Sequence, residues 1–82
     1  YCAVYELFPE QEGIFASISS LEEIKKSPSL FYSSIPAQKG EKVGPSKDGY
    51  RFCAVFIFVS EDKDIFQKET EFFEKNVQVM LQ

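Results

Sequence analysis

The chain has no histidine and no tryptophan, a single arginine, two cysteines and one methionine among its 82 residues. Without histidine there is no imidazole base, no usual metal ligand and no Ser-His or Cys-His nucleophile. Two cysteines without a histidine do not make a zinc site. Cys2 and Cys53 lie far apart, each in an apolar strand-like run. Both are expected as buried, reduced thiols, with a disulfide between neighbouring strands as the alternative. Nine basic residues, one of them Arg51, stand against thirteen acids, for a net charge of −4. That balance excludes a basic groove for nucleic acid. The longest apolar run, Phe52 to Val59, is too short to span a membrane. No segment has the order of a secretory signal, so a cytoplasmic protein is expected. The chain begins at Tyr1, inside a strand-like run and without an initiator Met, so a piece of a longer protein is expected.

What is abundant is phenylalanine. Nine Phe and four Tyr make the chain 16% aromatic. One domain of this length buries roughly 60% of its unfolded surface. It is hard pressed to hide nine phenylalanines, so some are expected at an interface.

Hydrophobic periodicity divides the chain. Tyr1 to Phe8 is almost continuously apolar and reads as a strand. A five-residue loop, Pro9 to Gly13, leads into a second strand on which Ile14, Ala16 and Ile18 alternate. That spacing predicts an antiparallel hairpin. Ser20 stands three residues before Glu23, the spacing of a capping box, so a short helix is expected there. Its buried side is Leu21 and Ile24, and Ser27-Pro28 stops it. Leu30 to Ile35 reads as a third strand, ended by Pro36. Ala37 to Gly49 is a loop in which Val43 is the one large apolar residue, the anchor of an excursion or a short extra strand.

Arg51 to Ser60 is the clearest strand, apolar on both faces and therefore central and covered on each side, once by the second helix and once by the first helix or a missing neighbour. Ser60 or Asp62 caps a final helix running to the C-terminus. Ile65, Phe72 and Val79, with Phe66, Phe73 and Met80, place an apolar stripe along about five turns. The other face carries Lys63, Gln67, Lys68, Glu71, Glu74 and Lys75. The expected fold is α+β: a small antiparallel sheet of about four strands with two helices, in the order β-β-α-β-β-α.

Chemistry is sparse. Gly40, Gly44 and Gly49 share one loop, but no Gly-Lys-Ser/Thr follows and no helix opens there, so phosphate-loop mechanics are absent. Glu61, Asp62 and Asp64 lack the spacing of a divalent-metal loop. No catalytic, metal or cofactor-binding residue is assigned. Arg51 is the one site candidate. An arginine there can grip a carboxylate or phosphate, or pair on the surface with Glu41 or Asp48.

One resemblance organises these features. The segment Pro-x-x-x-Gly-Ile-Phe-x-x-Ile-x-x-Leu-Glu-Glu comes first, with Gly13, Ile14, Ile18, Leu21 and Glu22 at its fixed positions. Lys39-Gly40-Glu41 and Val43 follow, then the Arg51-led apolar strand and a long helix. Together they resemble the small C-terminal subdomain of ATP-grasp carboxylate–amine ligases of the L-amino-acid ligase type. Ser20 stands where that family often has glycine. The resemblance implies a non-catalytic accessory unit that packs on an ATP-grasp core of the same polypeptide and walls its substrate side. ATP and Mg²⁺ would then be used by that core, with no cofactor held by this chain. The alternative is a free-standing interaction module, for instance a homodimer through an exposed aromatic surface.

Overall fold

A computed structural model describes all residues 1–82. It is an α+β fold with six strands in two antiparallel sheets and two α-helices. The strands are β1 (Cys2–Leu7), β2 (Gly13–Ile18), β3 (Leu30–Ser34), β4 (Lys42–Val43), β5 (Ala54–Val59) and β6 (Val79–Leu81). The helices are α1 (Leu21–Lys25) and α2 (Lys63–Asn76). One sheet has the order β1-β5-β3 and the other β4-β2-β6.

β5 is central in its sheet, as its apolar run requires. β1 pairs with it along its whole length, from Cys2 opposite Val59 to Leu7 opposite Ala54. Ala54, Phe56 and Phe58 face inward and are fully or almost fully buried. The inner residues of β1 are Ala3, Tyr5 and Leu7. α2 covers this face with Phe73, whose ring lies 5.1 Å from Phe56 and 5.4 Å from Phe58, both edge-on. Edge-on packing sets the electropositive rim of one ring against the face of the next.

The hairpin expected between the first two strands does not form. β1 pairs with β5, while β2 pairs with β4 and β6 in the other sheet. A five-residue connection permits a hairpin but does not compel one. The antiparallel match to β5 brings the inner face of β1 over the aromatic core.

The expected alternation of Ile14, Ala16 and Ile18 is also broken. A bulge between Phe15 and Ser17 inserts Ala16 and shifts the phase of β2. Phe15 and Ile18 are therefore the buried pair, and Ile14 is left 38% exposed. Val43 does anchor its loop: it is buried in β4, opposite Gly13. The ten-residue core joins both sheets, since Phe15, Ile18 and Val43 belong to the same cluster as Phe56, Phe58 and Phe73.

α2 opens where Asp62 caps it, its carboxylate accepting from the N–H groups of Asp64 and Ile65 at 2.9 and 3.1 Å. It ends earlier than the apolar stripe predicts. Val77 leaves helical geometry after donating to the Phe73 carbonyl, and Val79 to Leu81 become β6 against β2. Ser19 binds the reversal: its hydroxyl donates to the Asn76 carbonyl at 2.7 Å and accepts from the Gln78 N–H at 2.9 Å. The buried helical stripe is Phe66, Thr70 and Phe73, continued by Val77, while Ile65 and Phe72 stay about 40% exposed.

The capping box at Ser20 is absent as well. Ser20 has φ 56° and ψ 24°, and its side chain caps nothing. A left-handed serine strains its Cβ against its own backbone, which a glycine avoids. Ser20→Gly should therefore raise stability by about 0.5–1 kcal/mol, a midpoint gain of about 2–8 °C for a domain of this size. Thermal unfolding measures it. Under the capping reading the same change would not stabilise.

Candidate functional site

Arg51 lies in the segment between a 3-10 turn, Ser46–Asp48, and the start of β5. It is exposed and outside the strand it was expected to lead. The segment is held at Cys53, whose N–H donates to Leu7 O at 2.8 Å and whose carbonyl accepts from Ala37 N–H. Arg51 thus sits where β1 ends and β5 begins. It makes no ion pair with Glu41 or Asp48. The only ion pair is Lys42–Glu12, 3.8 Å apart and largely exposed. Glu41 instead accepts from the Gln38 N–H at 3.0 Å. Tyr50, the neighbour of Arg51, packs so tightly over Gly44 that a Cβ there would lie 2.5 Å from its ring. Gly44 therefore serves close packing. Gly40 and Gly49 serve turns, with φ near 90° and open space around them.

Contrary to expectation a helical turn does open beside the glycines: the 3-10 turn Ser46–Asp48 follows Gly44-Pro45 and ends at Gly49. No three Cys, Asp or Glu side chains converge to hold a metal ion. Glu61 is exposed, and Asp62 is occupied with capping.

The two cysteines differ. Cys53 is buried, and burial pushes its thiol pKa up, with Glu41 adding to the effect. That makes it an inert core thiol. Cys2 is exposed, contrary to expectation, because the alternation of β1 turns it to the outer face with Val4 and Glu6.

Two carboxylates on α2 have partners that periodicity did not reveal. Glu69 accepts from both the N–H and the hydroxyl of buried Ser29, fixing the turn after α1 to α2. Glu74, placed on the solvent face by spacing, accepts from the Tyr5 hydroxyl at 2.6 Å. Burial, then the hydrogen bond and charge of Glu74, push the Tyr5 phenol up to about 12 from its ordinary 10.0. Folding thus favours the neutral phenol. Its contribution to stability is complete below pH 10 and is lost as the pH rises from about 10 to about 12. In a phenolate absorbance titration Tyr5 should give a late step near pH 12. Tyr5→Phe should abolish that late step and flatten the loss of stability over the same interval.

Two depressions mark the surface. A groove of about 510 Å³ runs between α1 and α2, with Pro28, Ile65 and Phe72 along it and charged Glu23, Lys26 and Lys68 at its sides. Another of about 490 Å³ lies between the Phe8–Gln11 connection and β6. Neither gathers a reactive group.

The more distinctive surface is the outer face of β1-β5-β3. Val4, Ile57 and Tyr32 form a row across its three strands. Val4 is 60% exposed, Tyr32 50% and Val59 45%. Phe31, the extra residue of a bulge in β3, is 75% exposed beside them. Of the two covers expected for β5, α2 supplies the inner one; the first helix does not supply the outer one.

This architecture is found in a solved enzyme. The crystal structure of L-amino acid ligase from Bacillus licheniformis superposes with a TM-score of 0.80 over 99% of the chain, at 15% sequence identity. The chain has the fold of one part of that ligase. It spans 20% of the ligase's length. No protein-family model and no curated protein matches the sequence. No helix is long and apolar enough to cross a membrane.

Proposed function

We propose that the chain is the non-catalytic C-terminal accessory subdomain of a cytoplasmic ATP-dependent carboxylate–amine ligase of the ATP-grasp type. It packs on the ATP-grasp core of the same polypeptide and helps to wall the substrate side. The observation that carries this reading is the superposition of nearly the whole chain on one fifth of an L-amino acid ligase. The motif run from Gly13 to Glu22, with Lys39-Gly40-Glu41 and Arg51, supports it independently. ATP and Mg²⁺ belong to the remainder of such an enzyme. There they would activate a carboxylate as an acyl-phosphate for attack by an amine.

Arg51 is the residue of this chain proposed to face the substrate side or the domain boundary. Its support is its position at the end of the sheet and its lack of an ion pair. A guanidinium without a partner can accept a carboxylate in the two-pronged geometry that lysine cannot reproduce. In the full-length enzyme, Arg51→Ala should lower turnover at least tenfold, about 1.4 kcal/mol, while leaving the unfolding midpoint unchanged. Calorimetry of the 82-residue chain with Mg-ATP tests the broader reading. No saturable heat is expected, and micromolar binding would place the nucleotide site here instead. A parent reading frame without an ATP-grasp core would remove the proposal.

A further inference from the structure

We infer that the outer face of the β1-β5-β3 sheet is the surface on which the rest of the ligase polypeptide seats. This rests on the function proposed above and adds which face is covered, and by what.

The inference starts from β5. Its outward residues, Val55, Ile57 and Val59, are as apolar as its inward ones. Strands of that composition are ordinarily covered on both faces. Phe73 of α2 covers the inner face, and no element of the chain covers the outer one. Val4 and Tyr32 extend the apolar surface to both edge strands, and Glu6 is its one acid. The solvent side of α2, by contrast, is mixed: Lys63, Gln67, Lys68, Glu71 and Lys75 surround the partly exposed Ile65 and Phe72.

Area selects the occupant. Three strands about 4.8 Å apart and about 18 Å long make a plan area on the order of 250–300 Å², which side-chain relief raises to roughly 500 Å² of accessible surface. A stable complex of separate chains needs about 800 Å² per partner. The face is thus too small to hold a second copy by itself. It lies within the range for domains within one chain, about 300–750 Å² a side. There the covalent link supplies a high effective concentration, so a modest apolar contact suffices. The matching ligase chain, five times as long as the matched part, has polypeptide to fill that role.

Cys2 lies on this face and reports on it. The experiment alkylates thiols with iodoacetamide and follows Cys2 and Cys53 by peptide mass mapping, in the 82-residue chain and in the full-length enzyme. Cys2 should react freely in the short chain and at least tenfold more slowly in the full-length enzyme. Cys53 should be protected in both. Val4→Lys in the full-length enzyme should restore Cys2 reactivity, whereas Ile65→Lys in the α1–α2 groove should not. Equal Cys2 rates in the two proteins would overturn the inference. So would Cys2 protection in the short chain that grows with its concentration, since a second copy would then be the occupant. Release of phosphate from ATP on addition of amino acids is measured in parallel. Its absence alongside a protected Cys2 would sink the ligase reading and leave the interface standing.

Discussion

Phe73→Ala should leave the chain largely unfolded at room temperature, or shift its urea midpoint by about 2 M or more. Phe73 is 1% exposed and touches three rings. Tyr5 lies at 4.5 Å between centroids, Phe56 at 5.1 Å and Phe58 at 5.4 Å. Truncating a buried phenylalanine costs about 3–5 kcal/mol, through lost transfer energy and the cavity left behind. A domain of this size has roughly 4–12 kcal/mol in total. Collapse around the cavity is restricted, because the ring bridges α2 to both β1 and β5. Phe73→Leu should retain about half of the lost stability, since it keeps much of the volume. Phe31→Ala is the control. Phe31 is 75% exposed, and its removal should change stability by less than about 0.5 kcal/mol. Equal effects at the two positions would contradict the burial pattern.

Ending the chain at Gln78 should cost about 3 kcal/mol or more. The truncation removes β6, the longer of the two partners of β2. Val79 and Leu81 are half-buried, worth about 1 kcal/mol each at that burial. The β2–β6 hydrogen bonds go too, including Gln82 N–H to Ile14 O at 2.8 Å, at about 0.5–1.5 kcal/mol each. Phe15 and Ile18 then lose cover. Hydrogen exchange should show the amides of β2 deprotected well beyond those of β5, and denaturation should show the lower midpoint. Were the last residues instead the frayed end of a helix, removing them would cost less than about 1 kcal/mol and would leave β2 protected.

These two experiments separate what periodicity reveals from what it hides. The period-3.6 pattern of Phe66, Thr70 and Phe73 marks α2, and Asp62 marks its start. The heptad spacing of Phe72 with Val79, and of Phe73 with Met80, then continues past the point where the helix stops. Spacing cannot see that stop, because Val77 ends the helix without a glycine or proline. The end is imposed from outside, by Ser19 binding both sides of the reversal and by β2 offering a free edge to β6. Ala16 shows the same limit. One inserted residue in β2 moves Phe15 rather than Ile14 into the core, and bulges leave little trace in composition. At the candidate site, Arg51 was expected to lead β5 and lies three residues before it. The packing of Tyr50 on Gly44 was not legible either.

By itself the sequence determined the α+β class, the inner apolar character of β5 and α2, and the turn at Pro28. These follow from composition and from patterns within about ten residues, where local geometry dictates which side chains share a face. Only the tertiary structure decided that β1 joins β5 rather than β2, that the strands divide between two sheets, and that one face of β5 stays open. Strand partners are chosen by contacts between residues distant in the chain. β1 and β5 meet across some fifty residues because their inner faces together enclose Phe73. No local pattern records that complementarity, and it is what exposes Val4, Tyr32 and Val59 as a surface to be covered.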